Sequence, residues 1–270
     1  MPTRVTVRRD KSNALLVIAG ANKHNILDLE TLVNLHRKLT DLAVESAEGT
    51  VSCLILIGSG TYAFSAGSNV TELSELSPET ALKYSQLGQS VTALISNLSC
   101  PVICCLNGVA YGAGLELALA ADFRIASEGS NFAFPAAKLG LVPCFGGTQR
   151  CPNLIGPSHS RELLYRGNLI EASQALEWGL IDEIVPYPEL LAKALEWAQD
   201  LTVKSAFALQ QVKKSLASRG EDFALEQKLF ANCYRQKGIK QRILAWLGQH
   251  LDELPDTRLE RKNPIEEKYE

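Results

Sequence analysis

The residues best suited to chemistry lie in three glycine-rich segments, at residues 64–69, 107–116 and 146–150. Each segment stands where an apolar run ends, and such loops are where α/β folds place their binding sites. Because glycine has no side chain, the backbone of these loops can approach a ligand closely. The three segments are therefore the first candidates for a functional site.

The second segment combines a glycine turn with one acid. Gly112, Ala113 and Gly114 precede an apolar run at residues 115–120 that only Glu116 interrupts. This pattern predicts the start of a helix, whose first N–H groups lack intrahelical acceptors and can bind an oxyanion. Glu116 is then a candidate general acid or base. The alternative interpretation is an ordinary acid that the helix dipole stabilises in the first turn.

Alternating strands and helices must position these segments. Apolar runs at residues 14–18, 53–57 and 102–106 predict buried strands, the first of them paired with a strand at residues 5–7. Helices are expected to begin after residues 25–28 and to run from about 78 to 97. The spacing favours an α/β fold built as a spiral of strand-helix units over a doubly wound sheet around a dinucleotide loop.

Beyond Pro186 the pattern becomes wholly helical, with three-to-four spacing of apolar residues at 189–201, 206–216, 223–234 and 241–254. The predicted organisation is a spiral α/β core at 1–186, a C-terminal helical oligomerisation section at 187–257 and a charged tail at 258–270. The large apolar side chains of the helices exceed what a short helical tail can bury alone. We therefore expect packing onto the core or onto a neighbouring subunit.

Composition narrows the classes of partner. The formal net charge of −3 is too small to favour nucleic acid, and no apolar run approaches the ~20 residues of a membrane span. The seven cysteines lack a C-x-x-C spacing, and the four histidines show no metal-ligand spacing. With no export signal visible near the first residue, we expect a soluble, cytoplasmic protein with buried thiols and no metal.

The three segments, together with residues 168–185, resemble the crotonase (enoyl-CoA hydratase/isomerase) superfamily in order and spacing, over residues 5–250. The resemblance implies a crotonase-like spiral fold and an acyl thioester substrate, carried on coenzyme A or an acyl carrier protein. Coenzyme A is then part of the substrate, and no other cofactor is implied. By position, the backbone N–H groups of Ser68 and Ala113 would form the oxyanion hole, with Glu116 as the catalytic carboxylate.

The resemblance also implies which residues surround the substrate. They are the small or polar residues that flank the two N–H donors and the next strand, namely Ala66, Gly67, Asn69, Gly112, Gly114, Ala136 and Cys144. Asn69 stands where relatives often carry an acid near the nucleotide, although a polar turn residue is an equal interpretation. Hydratases of the family carry a second glutamate at the position of Ala136, so this chain departs from their pattern. Cys144 is a candidate source of a second proton, although buried cysteines are usually inert.

Several functions fit this pattern. A lyase, dehydratase or isomerase could move one proton on Glu116 alone, whereas fast two-carboxylate hydration is disfavoured. The alternatives are decarboxylation of a malonyl-type acyl-CoA, which the alanine at 136 favours, and a non-catalytic thioester-binding or RNA-binding relative. The apolar helices and the resemblance together predict a homotrimer or a dimer of trimers.

Overall fold

A computed structural model describes residues 4–20, 22–218 and 220–250, without the side chains of residues 4, 249 and 250. The predicted charged tail at 258–270 and the last residues of the predicted helix at 241–254 lie outside the described residues. By its internal contacts the chain divides into two units, Met1–Lys214 and Ser215–Glu270. The first unit holds both β-sheets.

Most strands of the first unit are short and apolar. They are β1 (Arg4–Asp10), β2 (Asn13–Ala19), β3 (Cys53–Gly58), β4 (Ala63–Ser65), β5 (Val102–Leu106), β6 (Val109–Tyr111), β7 (Phe123–Ser127), β8 (Asn131–Ala133), β9 (Ile170–Glu171) and β10 (Glu183–Val185). Six form one sheet in the order β1-β2-β3-β5-β7-β10, and four form a second in the order β4-β6-β8-β9. The pairs β1–β2 and β8–β9 are antiparallel, and the other pairs are parallel.

The chain visits the two sheets in turn. β3, β5 and β7 lie in the larger sheet, and each is followed by a strand of the smaller one, β4, β6 and β8. Each turn of the spiral therefore adds one strand to each sheet, and a helix then leads the chain back to the larger sheet. This arrangement is the predicted spiral of strand-helix units.

Ten α-helices complete the described structure. They are α1 (Leu29–Glu48), α2 (Val70–Ser74), α3 (Pro78–Asn97), α4 (Ala113–Ala118), α5 (Gly147–Arg161), α6 (Ala172–Glu177), α7 (Leu190–Thr202), α8 (Ala206–Leu216), α9 (Phe223–Tyr234) and α10 (Ile239–His250). A 3₁₀ helix at Pro135–Leu139 follows β8, one at Tyr187–Glu189 precedes α7, and one π-helical turn at Glu162–Arg166 follows α5. None of these described helices is long and apolar enough to cross a membrane.

Local sequence explains where the two longest helices begin. The side chain of Asp28 accepts a hydrogen bond from Thr31 N–H at the start of α1. At the start of α3, Ser77 and Thr80 form a reciprocal capping box and Pro78 occupies the first turn. The predicted helix at 78–97 is therefore confirmed, as is the strand at 102–106.

The core covers both faces of the larger sheet, because one cluster of buried residues joins this sheet to the smaller sheet and a second cluster joins it to α7. β5 is buried along its whole length, as expected for a central parallel strand covered on both faces. The largest fully buried side chains include Phe64 of β4, Phe132 of β8 and Phe134, which immediately follows β8. The smaller sheet is thus anchored by aromatic residues, and the first two glycine segments lie at the ends of β4 and β6.

The C-terminal helices are distributed over both units. α7 packs against β3, β5 and β7 within the first unit, and Ala194 and Ala198 on its inner face are fully buried. α9 and α10 belong to the second unit, where Asp222 caps α9 by accepting a hydrogen bond from Leu225 N–H. An oligomerisation role for residues 187–257 stays a prediction.

Candidate active site

In the first glycine segment, the backbone N–H groups of three residues donate hydrogen bonds within the described part of the protein, whereas that of Ser68 does not. Ala66 N–H donates to a carbonyl at 2.8 Å, Gly67 N–H to a hydroxyl of β4 at 3.1 Å, and Asn69 N–H to Leu27 O at 3.1 Å. Within the described residues, the N–H of Ser68 has no protein acceptor. It is therefore available to a ligand, although its neighbours on both sides are held in place.

The second glycine segment has the same property for a different reason. α4 begins at Ala113, and a residue in the first turn of a helix has no intrahelical acceptor for its N–H. Gly112 before it has a φ of 47°, a value that suits glycine, and donates its own N–H to Ala133 O at 2.9 Å. In the described part of the chain, the N–H of Ala113 has no protein acceptor either.

Glycine lets the two segments meet. A Cβ atom placed on Gly67 would lie 3.4 Å from Ala113 N and only 2.6 Å from Tyr111 O. A Cβ on Gly114 would lie 2.3 Å from Ser65 O. Both distances to carbonyl oxygen are too short for a side chain, so glycine at 67 and 114 allows the two loops to pack in contact. This contact brings the donors of Ser68 and Ala113 to one place.

Glu116 lies one turn into α4 and is almost fully buried, with 2 % of its surface exposed. Its Oε1 accepts two backbone hydrogen bonds, from Phe145 N–H at 2.8 Å and Gly147 N–H at 2.7 Å. A Cβ on Gly147 would lie 3.0 Å from that oxygen, so glycine gives the N–H close access. The side chain is consequently held in one orientation with its second oxygen left for other partners.

Burial raises the pKa of Glu116 to about 6. The N–H groups of Gly147, Phe145 and Cys144 oppose this rise, as does the positive charge of Arg150. A carboxyl group with this pKa can be ionised at neutral pH and still accept and return a proton. These are the properties required of a general acid or base.

The loop that binds Glu116 is itself held by α3. Ser85 Oγ and Gln89 Nε2 donate to Cys144 O at 2.9 and 3.1 Å. Thr92 Oγ1 donates to Phe145 O at 2.8 Å, and Arg150 Nη1 donates to the same oxygen at 3.0 Å. These bonds fix the carbonyl groups of the loop, so that its N–H groups point at the carboxylate.

Glu116 and the two residues with free N–H groups, Ser68 and Ala113, line one cavity of about 430 Å³. Most of the cavity wall is apolar, and it includes Leu73 and Leu76 from the region of α2 and Leu141 from the loop before α5. Among the described residues that line it, Glu116 is the sole carboxylate, and none is lysine, arginine or histidine. The cavity therefore combines two residues with free backbone N–H groups, one acid and an otherwise uncharged wall.

The structure brings together all but two of the residues singled out in the sequence. Those that line the cavity are Ala66, Gly67, Ser68, Gly112, Ala113, Glu116, Ala136 and Cys144. Asn69 instead caps α2, where its side chain accepts from Thr71 N–H at 3.1 Å. Gly114 packs beneath the turn against β4. A contact of either residue with the substrate stays a prediction.

Two lining residues bear on the number of proton carriers. Ala136 lies in the 3₁₀ helix after β8 and lines the cavity with a methyl group, and its match to the second glutamate of the hydratases stays a prediction. Burial, with the charge of Glu116 as the second cause, raises the pKa of the Cys144 thiol to about 12. A thiol of that pKa is a poor proton donor at neutral pH.

Three features of the site could not be found from the sequence. Phe145 and Gly147 contact Glu116 through backbone N–H groups, for which no side-chain pattern exists. The segment at 146–150 opens α5, and its contact with Glu116 is formed only by the fold. Tyr84 lines the cavity, and one tyrosine on an amphipathic helix looks the same as a core residue.

Comparisons with known proteins agree with this geometry. Residues 10–249 match the model of the family described as enoyl-CoA hydratase/isomerase. The chain is 33 % identical over 249 residues to crotonyl-CoA hydratase of Syntrophomonas wolfei, covering 90 % of this chain and 94 % of that protein. It is 30 % identical over 249 residues to short-chain-enoyl-CoA hydratase of Clostridium acetobutylicum, with the same shares of 90 % and 94 %.

A solved structure supports the same assignment. The crystal structure of enoyl-CoA hydratase from Bacillus anthracis superposes with a TM-score of 0.82 and 28 % identity, covering 92 % of this chain and 97 % of that one. The sequence match and the structural match both extend over about nine-tenths of the chain. The chain therefore belongs to the enoyl-CoA hydratase/isomerase family of the crotonase superfamily, whose enzymes act on acyl-CoA thioesters.

Proposed function

We propose that this enzyme stabilises the enolate of an acyl-CoA thioester with one catalytic carboxylate, as a hydratase, dehydratase or isomerase. The Ser68 and Ala113 N–H groups bind the thioester oxygen, and Glu116 moves the proton. The observation that carries the proposal is that one cavity is lined by Glu116, a buried carboxylate of pKa about 6, and by Ser68 and Ala113, whose N–H groups have no acceptor among the described residues. Coenzyme A enters as part of the substrate, and no further cofactor is required.

The proposed steps follow from where charge develops. When a proton leaves the acyl chain or water adds to it, negative charge moves onto the thioester oxygen. Two backbone donors aimed at that oxygen stabilise the developing charge, and each is worth about 3 kcal/mol of barrier. Glu116 takes a proton from water or from the chain and returns it, because its pKa lies close to neutral pH.

The wall of the cavity suits an uncharged acyl group. Leu73, Leu76 and Leu141 line it, and among its described residues no side chain offers a positive charge. A malonyl-type substrate would bring a second carboxylate beside Glu116 with no cation to offset the repulsion. Decarboxylation remains the alternative that Ala136 favours, and this repulsion makes it the second candidate.

A product assay distinguishes these reactions. The protein is incubated with saturated, unsaturated, 3-hydroxy and malonyl-type acyl-CoA thioesters, and the products are followed by mass spectrometry. We expect gain or loss of water, or a shift of the double bond at constant mass. Loss of carbon dioxide would instead establish the decarboxylase. Binding without turnover of any thioester would favour the non-catalytic alternative.

The pKa of Glu116 predicts a pH profile. If the ionised carboxylate is the base in hydration, kcat/KM for crotonyl-CoA rises with pH and reaches a plateau above about 6, the pKa of the folded protein. The pKa is raised by burial, so the ionised form is lost as the pH falls through 6. Initial rates from pH 5 to 8 measure the profile. A rate that is constant across this range, or that falls through pH 6, would contradict the role of Glu116 as base.

Ala136→Glu tests the missing second carboxylate. The new side chain would enter the cavity that Glu116 also borders, because Ala136 lines it. We expect crotonyl-CoA hydration to rise measurably above the wild-type rate, since a second acid–base group typically contributes about 10²-fold or more when it is well oriented. Ala137→Glu is the matched control, because residue 137 is in the same 3₁₀ helix but does not line the cavity. Equal rates in both variants would mean that position 136 is not the second catalytic position.

The expected assembly is a homotrimer or a dimer of trimers. The proposal is supported by the apolar side chains of the C-terminal helices, which cyclic contacts between subunits would bury.

A further inference from the structure

Tyr84 on α3 connects the two halves of the proposed site. Its phenol O–H donates to Ser68 Oγ at 2.7 Å. Its ring lies 5.2 Å from the ring of Phe145, measured between centroids, with the planes tilted by 43°. Phe145 in turn donates its N–H to Glu116. One side chain thus contacts the residue that carries an oxyanion donor and the residue that orients the carboxylate.

The surroundings favour a fixed position for Tyr84. The residue is 6 % exposed, and burial raises the pKa of its phenol above the usual range, so the group stays protonated and keeps donating. The ring of Phe145 lies against α3 at Gly88, where a Cβ atom would meet it at 2.0 Å. α3 therefore provides both the contact of Tyr84 with Ser68 and the surface against which the ring of Phe145 packs.

Ser68 needs such a restraint more than the other donor does. Ala113 is fixed by the helix that begins at it, whereas Ser68 lies between β4 and α2, and its backbone forms one isolated bridge with Leu27. That bridge uses the groups of Gly67 and Asn69, because Leu27 N–H donates to Gly67 O and Asn69 N–H donates to Leu27 O. The bond from Tyr84 is the contact that reaches the side chain of Ser68 itself.

We propose that Tyr84 is a positioning residue that holds Ser68 in the oxyanion hole and aligns it with the loop that orients Glu116. This inference rests on the proposed function, because it assigns Tyr84 a part in that same site. Tyr84 acts through Ser68 and Phe145, and Glu116 moves the substrate proton.

A double-mutant cycle tests the proposal. Tyr84→Phe keeps the ring and removes the hydrogen bond, and Ser68→Ala removes the acceptor but keeps the backbone N–H. We expect each variant to lower kcat on crotonyl-CoA about fivefold, with KM changed less than about twofold, as expected for one hydrogen bond that acts in the transition state. The kcat of the double variant should be no lower than that of the slower single variant, because both substitutions remove the same interaction.

A spectroscopic measurement separates positioning from general destabilisation. Crotonyl-CoA labelled with ¹³C at the thioester carbonyl is bound to protein carrying Glu116→Gln, so that turnover is slow, and the carbonyl stretch is recorded by difference infrared spectroscopy. We expect the stretch to lie below its solution value and to return part of the way towards it when Tyr84→Phe or Ser68→Ala is added. Tyr187→Phe is the control, because it removes a phenol bond to Gly60 O outside the cavity.

The outcomes are distinct. Non-additive losses in kcat with a shifted carbonyl stretch support the proposal. Wild-type kcat and stretch in both single variants, or losses that multiply in the double variant, overturn it while the proposed function stands. If Tyr84→Phe does not fold, Ser68→Ala alone decides through the same two measurements. Wild-type protein that neither turns over crotonyl-CoA nor shifts its carbonyl stretch would overturn the proposed function, and this inference with it.

Discussion

Glu116→Gln lowers kcat by about 10²-fold or more, because the variant keeps the shape of the side chain and removes the group that moves the proton. The two backbone donors at Phe145 and Gly147 can still bind the amide oxygen of the glutamine, so the loop around it should keep its position. Affinity for the thioester should change little, since the wall and the Ser68 and Ala113 donors remain. Steady-state kinetics on crotonyl-CoA, with a separate binding measurement, give both quantities.

The melting temperature of the same variant is a control for folding, and the direction of its change can be predicted. Because the pKa of Glu116 is raised on folding, its ionised form destabilises the folded protein, and this cost is present at pH values above about 6. Glutamine carries no charge, so we expect the melting temperature at pH 8 to be no lower than that of wild type. A folded variant with wild-type kcat would move proton transfer to another residue. In a decarboxylase that relied on the oxyanion hole alone, most of the rate would survive.

Ala113→Pro lowers kcat by about 10²-fold to 10³-fold, the effect of removing one donor from an oxyanion hole. Proline lacks the N–H but fits the first position of a helix, where that group is not used internally. Ala113 occupies this position in α4, so the substitution removes the donor while the helix can still form. Kinetics on crotonyl-CoA measure the loss, and the difference infrared measurement reports whether the carbonyl is still polarised.

Two controls make the Ala113→Pro result interpretable. Ala113→Gly keeps the backbone donor at the same site and should retain kcat within a few-fold of wild type, since glycine costs about 1 kcal/mol in helix propensity. Ala206→Pro places proline at the first residue of α8, outside the cavity lining, and should leave kcat unchanged. Equal kcat in Ala113→Pro and Ala113→Gly would show that the N–H of residue 113 does not stabilise the transition state.

The site combines parts from separate segments of the chain. α4 provides both Ala113 and Glu116, so a donor and the carboxylate share one short helix. The other donor, on Ser68, and the loop that binds Glu116 come from separate parts of the chain and meet at α3 through Tyr84, Ser85, Gln89 and Thr92. α3 is therefore the element on which the geometry of the site depends, although it contributes neither of the proposed donors nor the carboxylate.

The sequence by itself determined the local elements and the identity of the main candidates. Capping residues at 28 and 77–80 and the apolar runs at 53–57 and 102–106 specify helices and strands through contacts between near neighbours, which periodicity reports directly. Gly112-Ala113-Gly114 followed by Glu116 indicated a helix start with free donors, because that property depends on a few consecutive residues. The order of the three glycine segments, together with residues 168–185, was enough to indicate the family.

The tertiary structure alone decided how these parts act together. The pKa of Glu116 depends on burial and on N–H groups more than 25 residues away along the chain, from Phe145 and Gly147, and no local pattern encodes such contacts. The contact of Gly67 with the Ala113 turn, and the bond from Tyr84 to Ser68, likewise join segments that only folding brings together. Strand and helix preferences are short-range, whereas a site is made by long-range packing, and so its chemistry became visible only in three dimensions.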